Sequence, residues 1–218
     1  MKISGAIFDM DGTLTSSMHV WKTVGSDYIR SLGKVPKDDV DRRFTSMSVY
    51  DAVEFMKREY DIEGDHDEIT AAINKTVEHR YLHEVPVKDG VREFLGELKA
   101  QGIPMCIATA TDKYMARGAL ERLGIMDYFG EIFTSREIGI GKEAPDIFYA
   151  AAKFLGTDIS DTAVFEDSFV AAETAKKAGF KVCGLYDDSF AYKWDYVQEI
   201  SHISAVSMRE FLGKFQKA

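Results

Sequence analysis

Cysteine is scarce in this chain, which has only Cys106 and Cys183 among its 218 residues. Each lies inside an apolar, strand-like run, so we expect buried free thiols in a reducing cytosol rather than a disulfide framework. The first ten residues, MKISGAIFDM, lack the long apolar segment and the small-residue cleavage site of a signal peptide. We therefore expect a cytoplasmic protein.

Positive charge and long apolar runs are lacking as well. The formal net charge is −9 and no basic run interleaves with aromatic residues, which argues against a nucleic acid or an anionic membrane as partner. No apolar stretch approaches the ~20 residues that span a bilayer. The composition is 45% hydrophobic and 29% charged, which is typical of a globular domain. Nothing in it demands an assembly, so we expect a monomer.

Five short runs rich in Ile, Val and Phe predict β-strands that end in polar or acidic residues. These runs are ISGAIFD, GIPMCIAT, GEIFTSRE, TAVFED and KVCGLY. From about residue 88 they alternate with segments of helical spacing, which favours an α/β fold with a doubly wound parallel sheet. One such segment places on one apolar face Ile147, Phe148, Ala151, Phe154 and Leu155. The tail, ISAVSMREFLGKF, predicts a minor strand and a closing helix.

Residues 16–84 depart from this alternation. They contain amphipathic helical stretches, among them YDAVEFMKREY and DEITAAINKTVEHRYL, and no convincing strand. A helical block between the first strand and the rest of the α/β pattern predicts an insertion. We therefore expect a catalytic core formed by residues 1–15 and 85–218, with residues 16–84 as a separate helical domain.

Polar side chains stand at the carboxyl ends of the predicted strands, where ligands bind in open parallel sheets. In chain order they are Asp9, Asp11, Thr109, Lys142 in the turn GIGKEAPD, Glu166 and Asp167. Each alone is typical of a turn, a helix cap or a solvated surface. Their convergence at one edge of one sheet indicates an active site instead.

The paired acids of this set pose an electrostatic problem. Two carboxylates ~4 Å apart repel by about 4 kcal/mol at an effective dielectric constant of roughly 20. A divalent cation and a lysine would remove that repulsion. Oxygen ligands without a nearby Cys or His set favour Mg²⁺, which also binds substrate phosphate.

The four motifs resemble those of the haloacid dehalogenase superfamily of phosphatases and phosphomutases. DMDGT, IATAT, GKEAPDIF and VFEDS stand in the family's order and cover nearly the whole chain. The resemblance implies a Rossmann-like core whose α-helical cap is the insertion, and a hydrolase of phosphoric monoesters. A receiver domain, which also uses Asp, Thr, Lys and Mg²⁺, is smaller and carries its acidic pair and phosphorylated Asp in a different order.

The resemblance also implies a role for each residue. Asp9 would be the nucleophile that forms an aspartyl-phosphate, and Asp11 the general acid and base. The carboxylates of Asp9 and Asp167, with the backbone carbonyl of Asp11, would hold Mg²⁺. Thr109 would hydrogen-bond the phosphoryl oxygens, and Lys142 would neutralise charge shared by Asp9 and the phosphate.

The expected substrate is a small phosphorylated metabolite, either a sugar phosphate or an organic-acid phosphate. The alternative is a sugar-phosphate mutase similar to β-phosphoglucomutase, whose cap carries a glycine and an arginine against a distal phosphate. Ser46 and Val49 stand at those places here, and Arg42 and Arg43 are the candidates to replace that arginine. A catalytically inactive binding protein is a further alternative. Every position of the chemical set is filled in this sequence, which argues against it.

The sequence does not assign a single role to several further positions. Ala110 and Glu143 differ from the residues usual in the second and third motifs, and Ser16 replaces an acid that often follows the first. Glu166 could bind the metal directly or through water. Candidate substrate contacts outside the motifs, each also explained by packing or solvation, are His19, Trp21, Lys22, Met47 and Tyr50.

Overall fold

A parallel sheet forms the centre of the larger part of the chain. The computed structural model describes residues 1–45 and 49–218, and its strands are β1 Lys2–Ile3, β2 Gly5–Phe8, β3 Met105–Thr109, β4 Ile132–Thr134, β5 Thr162–Glu166, β6 Lys181–Leu185, β7 Ile203–Ala205 and β8 Gln216–Lys217. The main sheet has the order β4-β3-β2-β5-β6-β7, and β1 pairs with β8 apart from it. Every pairing is parallel. The predicted doubly wound α/β sheet is confirmed.

Helices alternate with these strands from residue 91 onward and occupy the inserted segment. They are α1 Met18–Ser31, α2 Val40–Thr45, α3 Val49–Tyr60, α4 His66–His83, α5 Val91–Ala100, α6 Lys113–Arg122, α7 Ser135–Ile138, α8 Asp146–Leu155, α9 Phe169–Lys177 and α10 Trp194–Ile200. None of these helices, within the described part of the chain, has the length and apolarity needed to cross a membrane.

The central strands are buried on both faces, as strands covered by helices must be. Every residue of β2, β3 and β5 is buried, which explains their continuous apolar runs. Phe8 of β2 pairs with Phe165 of β5, and their rings stack with centroids 4.3 Å apart. Cys106 and Cys183 are buried free thiols in β3 and β6, as predicted. Burial raises the pKa of both thiols.

The chain divides into two compact units, which we call the α/β unit and the helical unit. The α/β unit consists of Met1–Ser16 and Val85–Ala218, and the helical unit is Ser17–Glu84. Within the helical unit the Trp21 indole N–H donates to the Tyr81 hydroxyl at 2.7 Å, and their rings meet edge to face. The role of the helical unit as a cap stays a prediction.

The tail differs from the sequence prediction. The minor strand is present as β7, but the closing helix is replaced by a 3₁₀ turn at Met208–Phe211 and by β8. Phe211 and Phe215 explain this, because both are buried against Phe94 and the chain must bend to seat two rings there. The predicted first strand is likewise divided, since the Ser4 N–H leaves the sheet to donate to the Asp161 carbonyl.

One predicted apolar face is only partly buried. Ile147, Phe148 and Ala151 of α8 are buried in the core, whereas Phe154 is half exposed. The Phe154 ring lies at the end of the helix, where it contacts Phe133 edge to face. Leu155, the next residue of the predicted face, packs against the core, so helical spacing identified the face and Phe154 is its half-exposed member.

Candidate active site

The strand order brings the predicted site residues to one edge of the sheet. Because β2 lies between β3 and β5, the carboxyl ends of these three strands are adjacent. Asp9 and Asp11 follow β2, Thr109 ends β3, and Glu166 ends β5. The loop before α8 adds Lys142.

Lys142 joins the ends of two strands. Its ammonium group donates to Asp9 Oδ1 and, at 2.9 Å, to Glu166 Oε2. The Lys142 side chain is only 11% exposed, so this is a buried ion-pair network. Glu166 is fixed from its other side, where Oε1 accepts the Ser168 N–H at 3.1 Å. Glu166 thus orients the lysine, a contact that the motif alone did not reveal.

Two carboxylate oxygens at this site have no hydrogen-bond partner among the described residues. They are Asp9 Oδ2 and Asp167 Oδ2, both buried. The other oxygen of Asp167 accepts the Thr13 hydroxyl at 2.9 Å. Asp9, Glu166 and Asp167 each offer an oxygen, and these atoms lie within 4.8 Å of one another. Orphaned oxygens in an all-oxygen cluster fit a hard divalent cation such as Mg²⁺.

The electrostatics of the cluster point the same way. Burial raises the pKa of the Asp9 and Asp167 carboxyls well above the usual range, and the nearby Glu166 charge raises both further. Burial alone would lower the pKa of Lys142, but the charges of Asp9 and Glu166 outweigh it and hold that pKa above the usual value. The site therefore has an excess of negative charge that one lysine does not cancel.

Gly12 lies against the Asp167 carboxylate. Its φ is +86°, and a Cβ placed there would lie 2.2 Å from Asp167 Oδ2. Both the left-handed backbone and the close approach of a carboxylate require glycine at this position. The glycine of DMDGT is thereby explained by geometry.

Lys88 fixes the same loop and was not predicted as a site residue. Its ammonium group donates to the Gly12 carbonyl at 2.5 Å, to the Tyr186 carbonyl at 2.9 Å and to Asp187 Oδ2 at 3.1 Å. These bonds tie the first motif to the end of β6. No sequence signal distinguishes this lysine from a solvated one, because its partners are mainly backbone carbonyls.

The Asp11 carboxylate lies with two threonines, and Asp11 is not part of the acidic cluster of Asp9, Glu166 and Asp167. Asp11 Oδ2 accepts the Thr111 hydroxyl at 2.6 Å, with the Thr109 hydroxyl at 3.4 Å. The two aspartates of DMDGT therefore have different surroundings. This separation is what a nucleophile and a proton shuttle need.

The remaining candidates lie in the helical unit. Trp21 is bound to Tyr81, and Arg43 pairs with Asp39 at 2.8 Å and covers the Phe55 ring. His19 and Lys22 lie on α1. Ser46 and Met47 lie outside the described residues, and so do the side chains of Val49 and Tyr50.

The motifs and the fold together define the class of protein. Residues 3–179 match the family model described as haloacid dehalogenase-like hydrolase. The chain therefore belongs to the haloacid dehalogenase-like hydrolase family, and the prediction of an enzyme acting on phosphoric monoesters is confirmed.

Particular relatives carry phosphatase names. The chain is 28% identical over 192 residues to validoxylamine A 7'-phosphate phosphatase of Streptomyces hygroscopicus subsp. limoneus, a match that covers 83% of this chain and 84% of that protein. It is 25% identical over 179 residues to the phosphorylated carbohydrates phosphatase of Thermotoga maritima, covering 82% and 83%. A Thermotoga maritima crystal structure, provisionally named a β-phosphoglucomutase, aligns with a TM-score of 0.82 at 24% identity over 98% of both chains. The similarity to this crystal structure shows that the two chains share a fold.

Proposed function

We propose that the protein is a Mg²⁺-dependent phosphatase that hydrolyses a small phosphorylated metabolite through an aspartyl-phosphate on Asp9. One observation carries the proposal. The buried Asp9 carboxylate is held by Lys142 through Oδ1, while Oδ2 faces no hydrogen-bond donor among the described residues. A carboxylate fixed at one oxygen and unsatisfied at the other suits a nucleophile beside a metal.

The residues of the site divide the work of the reaction. Asp9 attacks phosphorus while Lys142 offsets the charge that the carboxylate and the phosphoryl group share. Asp11 gives a proton to the leaving oxygen and later takes one from the attacking water. The Thr109 hydroxyl donates to a phosphoryl oxygen.

The metal would be held by the Asp9 and Asp167 carboxylates and the Asp11 carbonyl. When bound, Mg²⁺ supplies positive charge that screens the nucleophile from the phosphate. Glu166 is committed to Lys142 and the Ser168 N–H, so we assign it to orienting the lysine rather than to the metal. Thr13 holds the Asp167 carboxylate in place.

The substrate class rests on the named relatives. One relative is named as a phosphatase of validoxylamine A 7'-phosphate and another as a phosphatase of phosphorylated carbohydrates, which supports a sugar phosphate or a similar organic phosphate. The mutase alternative receives no support from Arg43, which is already paired with Asp39. The monomeric state and the cytoplasmic location stay predictions.

The test is release of inorganic phosphate from a panel of sugar and organic-acid phosphates, with Mg²⁺ and with EDTA. We expect turnover that needs Mg²⁺ and falls below detection in Asp9→Asn. Asp127→Asn is the matched control, because it makes the same change at an exposed position and should retain full activity.

Two outcomes would overturn the proposal. Turnover in Asp9→Asn equal to that of the parent would exclude an aspartyl-phosphate on Asp9. Conversion of β-glucose 1-phosphate to the 6-phosphate, without phosphate release, would assign the protein to the mutases.

A further inference from the structure

Asp11 is held by threonine hydroxyls from the end of β3. Thr111 Oγ1 donates to Asp11 Oδ2 at 2.6 Å, whereas Thr109 Oγ1 lies 3.4 Å from the same oxygen. A distance of 2.6 Å is typical of a hydroxyl bound to a carboxylate, and 3.4 Å is longer than an ordinary hydroxyl hydrogen bond. Thr111 is itself only 2% exposed, so water cannot readily replace it. Of the two threonines, Thr111 is the one that orients Asp11.

The backbone of Thr111 makes a second contact at the site. Its N–H donates to Thr109 Oγ1 at 3.1 Å. A hydroxyl has one proton, so Thr109 accepts from this N–H and keeps its own proton to donate. Ala110, between the two threonines, carries no polar side chain. Thr111 therefore sets both the orientation of Asp11 and the donor state of Thr109.

We propose that Thr111 is a positioning residue for the general acid and base of this enzyme, an inference that rests on the proposed phosphatase function. In the first half-reaction a bond forms between an Asp9 oxygen and phosphorus. The bond from phosphorus to the leaving oxygen breaks, and that oxygen takes the proton of Asp11. In the second, Asp11 takes a proton from water as the water oxygen displaces Asp9 from phosphorus. Thr111 keeps its own proton and holds the Asp11 carboxyl in one orientation for both transfers.

This role predicts a dependence on the leaving group. An alkyl alcohol leaves phosphorus only with a proton, whereas p-nitrophenolate leaves without one. Loss of a correctly placed acid should therefore slow alkyl esters far more than p-nitrophenyl phosphate. The comparison uses kcat/KM, which reports the steps up to release of the first product and so excludes the later attack of water.

The experiment compares Thr111→Val and Thr111→Ser in the full chain with Mg²⁺. Thr111→Val keeps the backbone N–H and the side-chain shape but removes the hydroxyl, while Thr111→Ser keeps the hydroxyl. The substrates are p-nitrophenyl phosphate and the best alkyl phosphate of the panel. Thr162→Val is the matched control, since it removes a buried hydroxyl at the opposite end of β5, where the partners are Thr157 and Asp158.

We expect Thr111→Val to lower kcat/KM for the alkyl phosphate about a hundredfold and to affect p-nitrophenyl phosphate much less. Thr111→Ser should restore the parent ratio between the two esters, and Thr162→Val should leave that ratio unchanged. Equal losses on both esters, or no loss on either, would overturn the positioning role. A parent enzyme that releases phosphate from neither ester would instead overturn the proposed function, and this inference with it.

Discussion

The ion pairs at the candidate active site of the α/β unit and those of the helical unit use the same residue types, but they differ in the ratio of carboxylates to cations. In the helical unit, Lys37 pairs with Glu59 at 2.6 Å and Arg43 with Asp39 at 2.8 Å. Each of these carboxylates has at least one cation of its own, since Glu59 also pairs with Arg58, and the side chains are partly exposed. Such pairs contribute little to stability because water screens them.

The site of the α/β unit has a different composition. Lys142 serves both Asp9 and Glu166, Asp167 lies beside them, and two of the oxygens stay unsatisfied. Burying so many carboxylates lowers the stability of the fold, because the free energy needed to remove their charges from water exceeds the attraction that one lysine supplies. The excess of carboxylates over cations, rather than the number of charges, therefore distinguishes the site from the surface pairs.

The largest effect expected from this comparison is in Lys142→Met. Removing the lysine leaves the buried Asp9 and Glu166 carboxyls without their cation, which should lower the free energy of unfolding by about 3 kcal/mol. Urea unfolding at neutral pH in EDTA measures it. Lys37→Met, which removes a 54% exposed partner, should change the midpoint little. Equal shifts in the two variants would contradict the distinction between the site and the surface pairs.

Lys88→Met tests a second buried lysine of the α/β unit. Lys88 binds two carbonyls and Asp187 while only 17% exposed, so its loss should cost about 2 kcal/mol of unfolding free energy. It should also lower kcat, since the Gly12 carbonyl belongs to the loop between Asp9 and Thr13. Arg209→Met serves as the control because Arg209 forms exposed ion pairs with Asp89. An unchanged kcat in Lys88→Met would show that Lys88, like the surface ion pairs, has no effect on the active site.

Asp167→Asn should stabilise the metal-free protein. A raised pKa means that ionisation is less favourable in the folded than in the unfolded chain, so stability falls as pH rises from the usual aspartate pKa of 3.8. The neutral amide removes that penalty, and we expect a gain of about 1 kcal/mol at neutral pH. Thermal unfolding with EDTA and with Mg²⁺ measures it. The parent should gain stability from Mg²⁺ and the variant should not; a destabilised variant that still responds to Mg²⁺ would contradict this account.

The smallest effect concerns a neutral hydrogen bond in the helical unit. Tyr81→Phe removes the acceptor of the Trp21 N–H and should cost about 1 kcal/mol of unfolding free energy. A double variant with Trp21→Phe should cost less than the sum of the single changes, because both remove the same bond. Strict additivity, measured by urea unfolding, would show that the 2.7 Å contact contributes nothing.

The sequence predicted the parts of the site that follow from strand order. Asp9 directly follows β2, and Thr109 and Glu166 end β3 and β5. Parallel strands bring their carboxyl ends to one edge of a sheet, so the strand pattern alone predicts that these residues converge. Lys142 was found because its motif is specific. The orienting contact of Glu166 to that lysine depends on side-chain direction, which the motif does not encode.

The contacts of Thr13, Lys88 and Thr111 were beyond the sequence for a similar reason. Each binds a partner distant along the chain, such as Asp167, the Gly12 carbonyl or Asp11, and hydroxyls and lysines of this kind are common on surfaces. The tail was mispredicted because burial of aromatic rings outweighed helical spacing in the segment ending at Phe215. Local patterns thus gave the sheet and the chemistry, whereas the supporting contacts required the folded structure.

The position of β2 between β3 and β5 also governs the order in which the site can be assembled. Residues 9 and 167 are neighbours in space, yet β5 begins only at Thr162. Until that late strand docks, one edge of β2 exposes unpaired backbone groups, which is the state in which strands associate between chains. Such long-range pairing is slow to form. Catalytic activity is therefore a reporter of the docking of β5 onto β2, and a growing chain has none until its fifth strand has been made.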